Sequence, residues 1–339
     1  MMLFNKKNGF GLIELMISIL VASIIVAGLY KLLTASVLNF GISTATSRSG
    51  KSARQVDNFV NNLVFQAGYK NYIRVRNDYI FGPDETAFDS SNSYFNNTDD
   101  WSEGEFIRGG QEVASGDNTN SSVKFRYFGA SINDDFSGST DTSPNGYIFD
   151  CQGRSVPNTV LLEVMLFVKG NQGLACAQHP IINEDTTHDA HYWDIDEEHA
   201  EIIDSSIVSM KILYGTTLFG DTSVFYPAAA VGRAWPYINL VKYSFVTSQP
   251  TLQKTTMSDA NNVQLTLFAD NDYSTTVPCP HASETESMTY PITSCGEQVS
   301  VPENFGKYKI PSSTTNNQRA NMHKIIFGSV SLFNGYIYK

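Results

Sequence analysis

The densest set of chemically capable side chains in this sequence is His188-Asp189-Ala190-His191-Tyr192-Trp193-Asp194-Ile195-Asp196-Glu197-Glu198-His199. Its imidazoles and carboxylates are a donor set that suits zinc or another divalent ion. The spacing argues against catalysis. His188 and His191 are not the helical His-Glu-x-x-His arrangement, so nothing places a general base. With His199 they are weak metal candidates, and a solvated acidic loop is the favoured reading. Asp270-Asn271-Asp272 is a fragment of a calcium loop without its Gly and terminal Glu, and reads as a turn. No Gly-x-Ser-x-Gly elbow, phosphate loop or dinucleotide fingerprint occurs. The expectation is a chain that is not an enzyme, with no catalytic residues, no cofactor and no small-molecule substrate.

The cysteines are Cys151, Cys176, Cys279 and Cys295. Three pairings are open. The most local are Cys151 with Cys176 and Cys279 with Cys295, each closing a loop worth about 3 kcal/mol in the chain-entropy model. Free buried thiols are the competing reading, and zinc fits poorly without a Cys-x-x-Cys spacing. Trp101, Trp193 and Trp235 mark either partner surfaces or core packing, and packing is favoured.

The elements that must position these groups come from a chain of 339 residues and 37.5 kDa, enough for one large domain or two modest ones. Charged residues are 17% and aromatics 12%, which excludes a disordered acidic chain. A net charge of −11 argues against nucleic acid as a direct partner. Residues 184–204 alone hold nine acidic side chains and no Lys or Arg, and 78–120 form a second acidic segment. Both read as solvated loops.

The one long apolar run starts at Phe10 and ends before Lys31, with Glu14 as its single charge. As a helix it spans roughly 30 Å, the thickness of a bilayer core. Lys6 and Lys7 precede it and hold the N-terminus on the cytoplasmic side. A cleaved secretory signal lacks support, because no clear Ala-x-Ala site follows. A plain anchor leaves Glu14 unexplained, since a carboxylate inside an apolar span costs about 3 kcal/mol and needs a partner.

Lys6-Lys7-Asn8-Gly9-Phe10-Gly11-Leu12-Ile13-Glu14-Leu15 resembles the class III signal of type IV pilins and pseudopilins. The resemblance implies cleavage after Gly9 by the prepilin peptidase, N-methylation of Phe10, and a helix retained first in the inner membrane and then in a filament core. It also implies that Glu14 neutralises the amino terminus of a neighbouring subunit, in keeping with the rule that buried charges persist only when paired. Gly11 departs from the usual Thr or Ser at the second mature position, and leaves the cleavage pair and the carboxylate in place.

Beyond Lys31, Leu38, Ile42, Ala45, Ala53, Val56, Val60, Leu63 and Ala67 recur at steps dominated by three and four, so the helix is expected from about 11 to 67. Ser residues, Arg48, Lys51 and Arg54 are assigned to the opposite face. Gly41 and Gly50 are expected to loosen the middle, and Gly68 to end the helix. Strands are expected at Tyr72–Val75, Ser122–Phe128, Gly146–Asp150, Val160–Val168, Val208–Tyr214, Asn239–Val246, Gln264–Phe268 and Lys324–Phe333. The alternation Val123-Lys124-Phe125-Arg126-Tyr127 predicts one solvated face. Residues 77–121, 184–200, 215–236 and 270–320 read as long loops. The fold class is therefore α+β: a leader 1–9, a transmembrane or filament-core segment 10–31, an amphipathic stalk 32–68, and a β-rich head 69–339.

Gln66-Ala67-Gly68-Tyr69, Asp150-Cys151-Gln152-Gly153, Leu213-Tyr214-Gly215 after Ile203-Asp204, and the late strands 240–246 and 325–332 are together similar to the PilW family of minor pilins. This resemblance implies a single-pass protein whose head faces the periplasm, where disulfides persist, and which later reaches the pilus at the cell surface. The implied role is to prime pilus assembly and promote pilin export in a complex with other minor pilins and the major pilin. A J-type minor pseudopilin of type II secretion, or an adhesive subunit at the pilus tip, is the alternative.

Overall fold

The apolar run and the stalk pattern build one uninterrupted helix, α1 (Leu12–Phe65), with no break at Gly41 or Gly50. The computed structural model describes residues 11–69, 105–110, 113–115, 118–132, 143–183, 188–189, 191–196, 198–216, 224–232, 234–250, 264–278, 296–301, 305–310 and 321–332. The expected strand 72–75 lies outside them. The helix is followed by a β-rich head, so the fold is α+β.

In chain order the head carries β1 (Ile107–Gly109), β2 (Val113–Ser115), β3 (Asn118–Asn120), β4 (Val123–Phe128), β5 (Val160–Val168), β6 (Leu174–Asn183), β7 (Glu201–Asp204) and β8 (Ile207–Thr216). There follow β9 (Val224–Tyr226), the short α2 (Ala228–Val231), β10 (Leu240–Pro250), β11 (Gln264–Thr266), β12 (Lys307–Lys309) and β13 (Asn321–Ser331). One antiparallel sheet has the order β1-β4-β5-β6-β7, and the other β13-β10-β8-β9. β2 pairs with β3 and β11 with β12.

Both sheets and the second half of α1 share one core. Val56, Val60 and Leu63 belong to the same buried cluster as Phe125, Leu162 and Val164 of the first sheet and Ile212, Tyr243 and Phe245 of the second. α1 packs across β10 and β13 and touches β7. Its buried stripe runs Gly41, Ala45, Ser49, Ser52, Val56, Val60, Leu63 and on to Ala67, one face at helical spacing. Ile42 lies outside that stripe and is exposed, contrary to its expected place. Ser49 and Ser52, assigned to the solvated face, are buried instead. Small side chains let the helix sit close to the sheet, and their hydroxyls find partners there.

The helix ends at Phe65, with Gln66 as its cap and Gly68 in the left-handed region at φ 76°. A Cβ on Gly68 would lie 2.8 Å from the Phe106 ring, so the turn into the head requires glycine.

β5 matches its expected bounds, and every residue in it is buried. β4 departs from the expectation of one wet face, because all six of its residues are buried. Arg126 tolerates this by pairing with Glu163 of β5, 2.8 Å from both Nε and Nη2 to one carboxylate oxygen. Residues 146–150 are not a strand. Gly146 has φ 81°, the Asn145 side chain accepts from Tyr147 N, and only an isolated bridge joins Phe149 to Ser155. β6 and β7 were not anticipated. β6 contains Pro180 and reads as irregular, with a register shift opposite Leu161/Leu162. β7 lies in a segment expected as acidic loop. The expected loops 77–121 and 215–236 likewise carry short elements, β1 to β3 and β9 with α2.

Candidate functional site

The first feature with chemical consequence is the N-terminal half of α1. Large apolar side chains from Leu12 to Phe40 stand exposed, including Ile13, Leu20, Ile24, Leu29 and Leu33. The segment is long and apolar enough to cross a bilayer. Glu14 sits in its first turn, where Oε2 accepts a hydrogen bond from Gly11 N at 3.1 Å. A carboxylate there caps the helix and is favoured by its dipole. Held in an apolar phase, it is also a receptor for an external cation. Gly9 and Phe10 lie outside the described residues.

The second feature is the joint between stalk and head. Ser49 Oγ and Thr247 Oγ1 are 3.0 Å apart, and Ser52 Oγ bonds both Ser206 Oγ, at 2.8 Å, and the Asp204 carboxylate. The Tyr243 hydroxyl donates to Asp57 Oδ1 at 2.6 Å, and burial followed by this carboxylate pushes the phenol well above its ordinary range. Lower down, Gln66 Oε1 accepts from Phe149 N at 2.6 Å, and Gly68 N donates to Arg126 O at 2.8 Å. These bonds fix the rotation of α1 on the head, which apolar contacts alone would leave soft. Sequence reasoning missed them, because each pairs residues far apart in the chain. The segments Ile203-Asp204 and Gln66-Ala67-Gly68-Tyr69 carry the only hints, because they contribute Asp204, Gln66 and Gly68 to the joint.

The third feature surrounds Cys151. Cys151 and Cys176 form a disulfide with Cα atoms 5.7 Å apart, while Cys279 and Cys295 lie outside the described residues. Asp150 closes the preceding turn: Oδ1 accepts from Gln152 N at 3.0 Å and Arg154 N at 2.7 Å, and Oδ2 from Arg154 Nε at 2.6 Å. Gly153, at φ 75°, permits that turn. The Asp150-Cys151-Gln152-Gly153 motif is thus a structural knot.

The imidazoles of the acidic segment do not converge. His188 stacks on Tyr192 at 4.1 Å between centroids, and His199 Nδ1 lies 2.8 Å from Asp196 Oδ1. His191 N donates to Asp189 Oδ1. Slight desolvation raises the Asp196 carboxyl, but hydrogen bonds from His199 outweigh it and hold the group below its ordinary value. Among the described residues no three His, Cys, Asp or Glu side chains are grouped to hold a metal ion. Asp272 pairs with Lys242 Nζ at 3.5 Å and accepts from Ala269 N, the contacts of a turn. Trp193 and Trp235 are core residues, whereas Trp101 lies outside the described set.

Residues 4–30 match the prokaryotic N-terminal methylation motif. No curated protein matches the chain. Among solved structures, a type IV-like pilin from Thermus thermophilus is similar, with 9% sequence identity and a TM-score of 0.34, covering 84% of this chain and 97% of that one.

Proposed function

We propose that this chain is a minor pilin of a type IV pilus, processed by prepilin peptidase after Gly9 and methylated at Phe10, that primes assembly together with other pilins. The observation that supports it most is the methylation motif over residues 4–30 running directly into a helix whose apolar face is bare from Leu12 to Phe40. A face of that size is stable only inside a membrane or against other helices.

In this reading the chain is inserted with its leader cytoplasmic and its head periplasmic. Cleavage frees a charged amine at Phe10. Glu14, four residues on, offers the opposite charge to a neighbouring subunit's amine as helices pack. The docked stalk from Gly41 onward transmits the position of the helix to the head. The reading assigns no catalysis and no cofactor.

The test is mass spectrometry of the N-terminal peptide from sheared filaments and from membranes of the same cells. A methylated peptide starting at Phe10, present in filaments far below the major pilin, is the expected result. A chain still starting at Met1 and confined to membranes overturns the reading. Glu14→Ala is expected to be cleaved and yet depleted at least tenfold from the filament fraction. Wild-type incorporation of that variant removes the role given to Glu14.

A further inference from the structure

We propose that the outer edge of β13 is a docking site for an extended strand of a different pilin subunit, which continues the second sheet beyond β13. The open edge is independent of the pilin reading, whereas the identity and direction of the occupant rest on it.

The outer strands of the two sheets are β1 and β7 in the first and β9 and β13 in the second. β1 and β9 have three residues each and β7 has four. Phe225 O of β9 already accepts from Ser274 N, and Asp204 of β7 is bound by Ser52. Short or covered edges keep a sheet from pairing with a foreign strand. β13 has eleven residues and carries none of these protections. It holds no proline, and its register against β10 is unbroken from Asn321 to Ser331. Lys324 is its only Lys, Arg, Asp or Glu. Among the described residues, nothing bonds the backbone on its outer side. In an antiparallel ladder alternate residues turn both N–H and C=O away from the partner, so β13 presents a row of unpaired donors and acceptors. Such a row binds an extended chain by main-chain hydrogen bonds.

The side chains of β13 form two rows. Met322, Lys324 and Gly328 lie toward α1: Met322 Sδ is 3.6 Å from Thr46 Oγ1, and Gly328 lies opposite Tyr243, the partner of Asp57. Ile325 and Phe327 lie on the other face. Ile325 packs against the cluster of Val246, Leu267 and Tyr308, whereas Phe327 is 56% exposed. Lys324 is exposed as well, with no ion-pair partner among the described residues. A bare ring and a bare cation thus flank the open backbone. An antiparallel strand complements them with apolar residues opposite Phe327 and Ile325 and a carboxylate opposite Lys324. Read from its N-terminus, that strand is apolar-x-apolar-acid.

Direction selects the occupant. Along α1, Thr46 meets Met322, Ser49 meets Thr247 beside Lys324, and Asp57 meets Tyr243 beside Gly328. β13 therefore runs in the same sense as α1, away from the membrane. A second copy adding its own β13 antiparallel would point its apolar helix half away from that membrane. A parallel self-pair keeps both helices upright but forms the weaker ladder. The other outer strands are too short to serve a second copy. The occupant is a strand of a different subunit that runs back toward the membrane, as β10 does within this chain.

The test is hydrogen-exchange mass spectrometry of the full-length protein in detergent micelles, with the probe peptide Thr-Val-Thr-Phe-Thr-Val-Glu-Thr-Thr titrated to about 1 mM. Saturating peptide is expected to slow exchange over 321–331 at least fivefold, with β5 and α1 residues 45–65 kept within twofold. No protection of 321–331 overturns the site. A probe N-methylated at alternate residues is expected to lose binding, and equal binding overturns pairing through the main chain. Phe327→Lys and Lys324→Glu change exposed side chains and leave the ladder to β10 in place. Each is expected to weaken the probe at least tenfold, and a probe with Lys in place of Glu is expected to restore binding to Lys324→Glu. Undiminished binding of the original probe to both variants overturns the register. Sedimentation without peptide is expected to show a monomer, and a dimer that Phe327→Lys dissolves overturns the choice of occupant. Neither variant touches the cleavage signal, so failure here leaves the N-terminal peptide test to stand or fall by itself.

Discussion

Gly328→Ala is expected to loosen the stalk from the head through Tyr243, whose hydroxyl bonds Asp57 of the stalk. Gly328 of β13 lies opposite Tyr243 of β10. Its φ is not in the left-handed region, so alanine brings no backbone strain. The cost is steric. A Cβ built there stands 2.2 Å from Tyr243 Cζ and from its hydroxyl oxygen. Ordinary contact begins near 3.4 Å, so the ring must retreat by more than about 1 Å in a core packed to crystal density. That displacement breaks the 2.6 Å bond to Asp57. Overpacking costs about 1–3 kcal/mol. Loss of a hydrogen bond to a charged acceptor adds about 1.5 kcal/mol, the low end of the range, because Asp57 is only half-buried and regains water. The sum is about 3 kcal/mol, or roughly 5 °C in Tm for a head of this size. The assay is thermal unfolding of the full-length protein in detergent, followed by near-ultraviolet circular dichroism. Tyr243→Phe alone is expected to lose about 1.5 kcal/mol. In that background Gly328→Ala should cost about 1.5 kcal/mol less than in wild type, since the same bond cannot be lost twice. A shift below 2 °C for Gly328→Ala, or strict additivity of the pair, refutes the reasoning.

Two further outcomes follow from buried charge. Arg126→Met leaves Glu163 buried without its cation and is expected to cost about 3–5 kcal/mol, whereas Arg126→Met/Glu163→Leu recovers most of it. The same thermal assay reads both variants, and a double variant as unstable as the single one removes the argument. Burial lowers the His323 imidazole below its ordinary value. The folded state then binds its proton less readily than the unfolded chain, so stability is full above about pH 6.5 and declines as pH falls below it. His323→Gln is expected to flatten the Tm profile between pH 7.5 and 5, and an unchanged slope sinks this assignment.

The sequence by itself determined the parts whose signal is local and repeated. The run from Phe10 to Tyr30 and the three- and four-residue steps as far as Ala67 specify one helix, and α1 follows them. Val160–Val168 is a continuous apolar run and becomes a strand buried on both faces. Of three open pairings, Cys151 with Cys176 is among the most local, and the structure selects it. Tertiary structure alone decided where polar residues go. Ser49 and Ser52 read as solvated because hydroxyls carry no apolar period, yet Thr247, Ser206 and Asp204, 152 to 198 residues away, satisfy them. Lys124 and Arg126 alternate with apolar neighbours as on a wet strand, yet the second face of their sheet is covered. Gln178 has no sequence signature, and its role appears only when Cys151 and Trp193 converge on it. Apolar burial is encoded by pattern, because water penalises each exposed group independently. Polar burial is permitted only by a partner, and that partner is supplied by the fold.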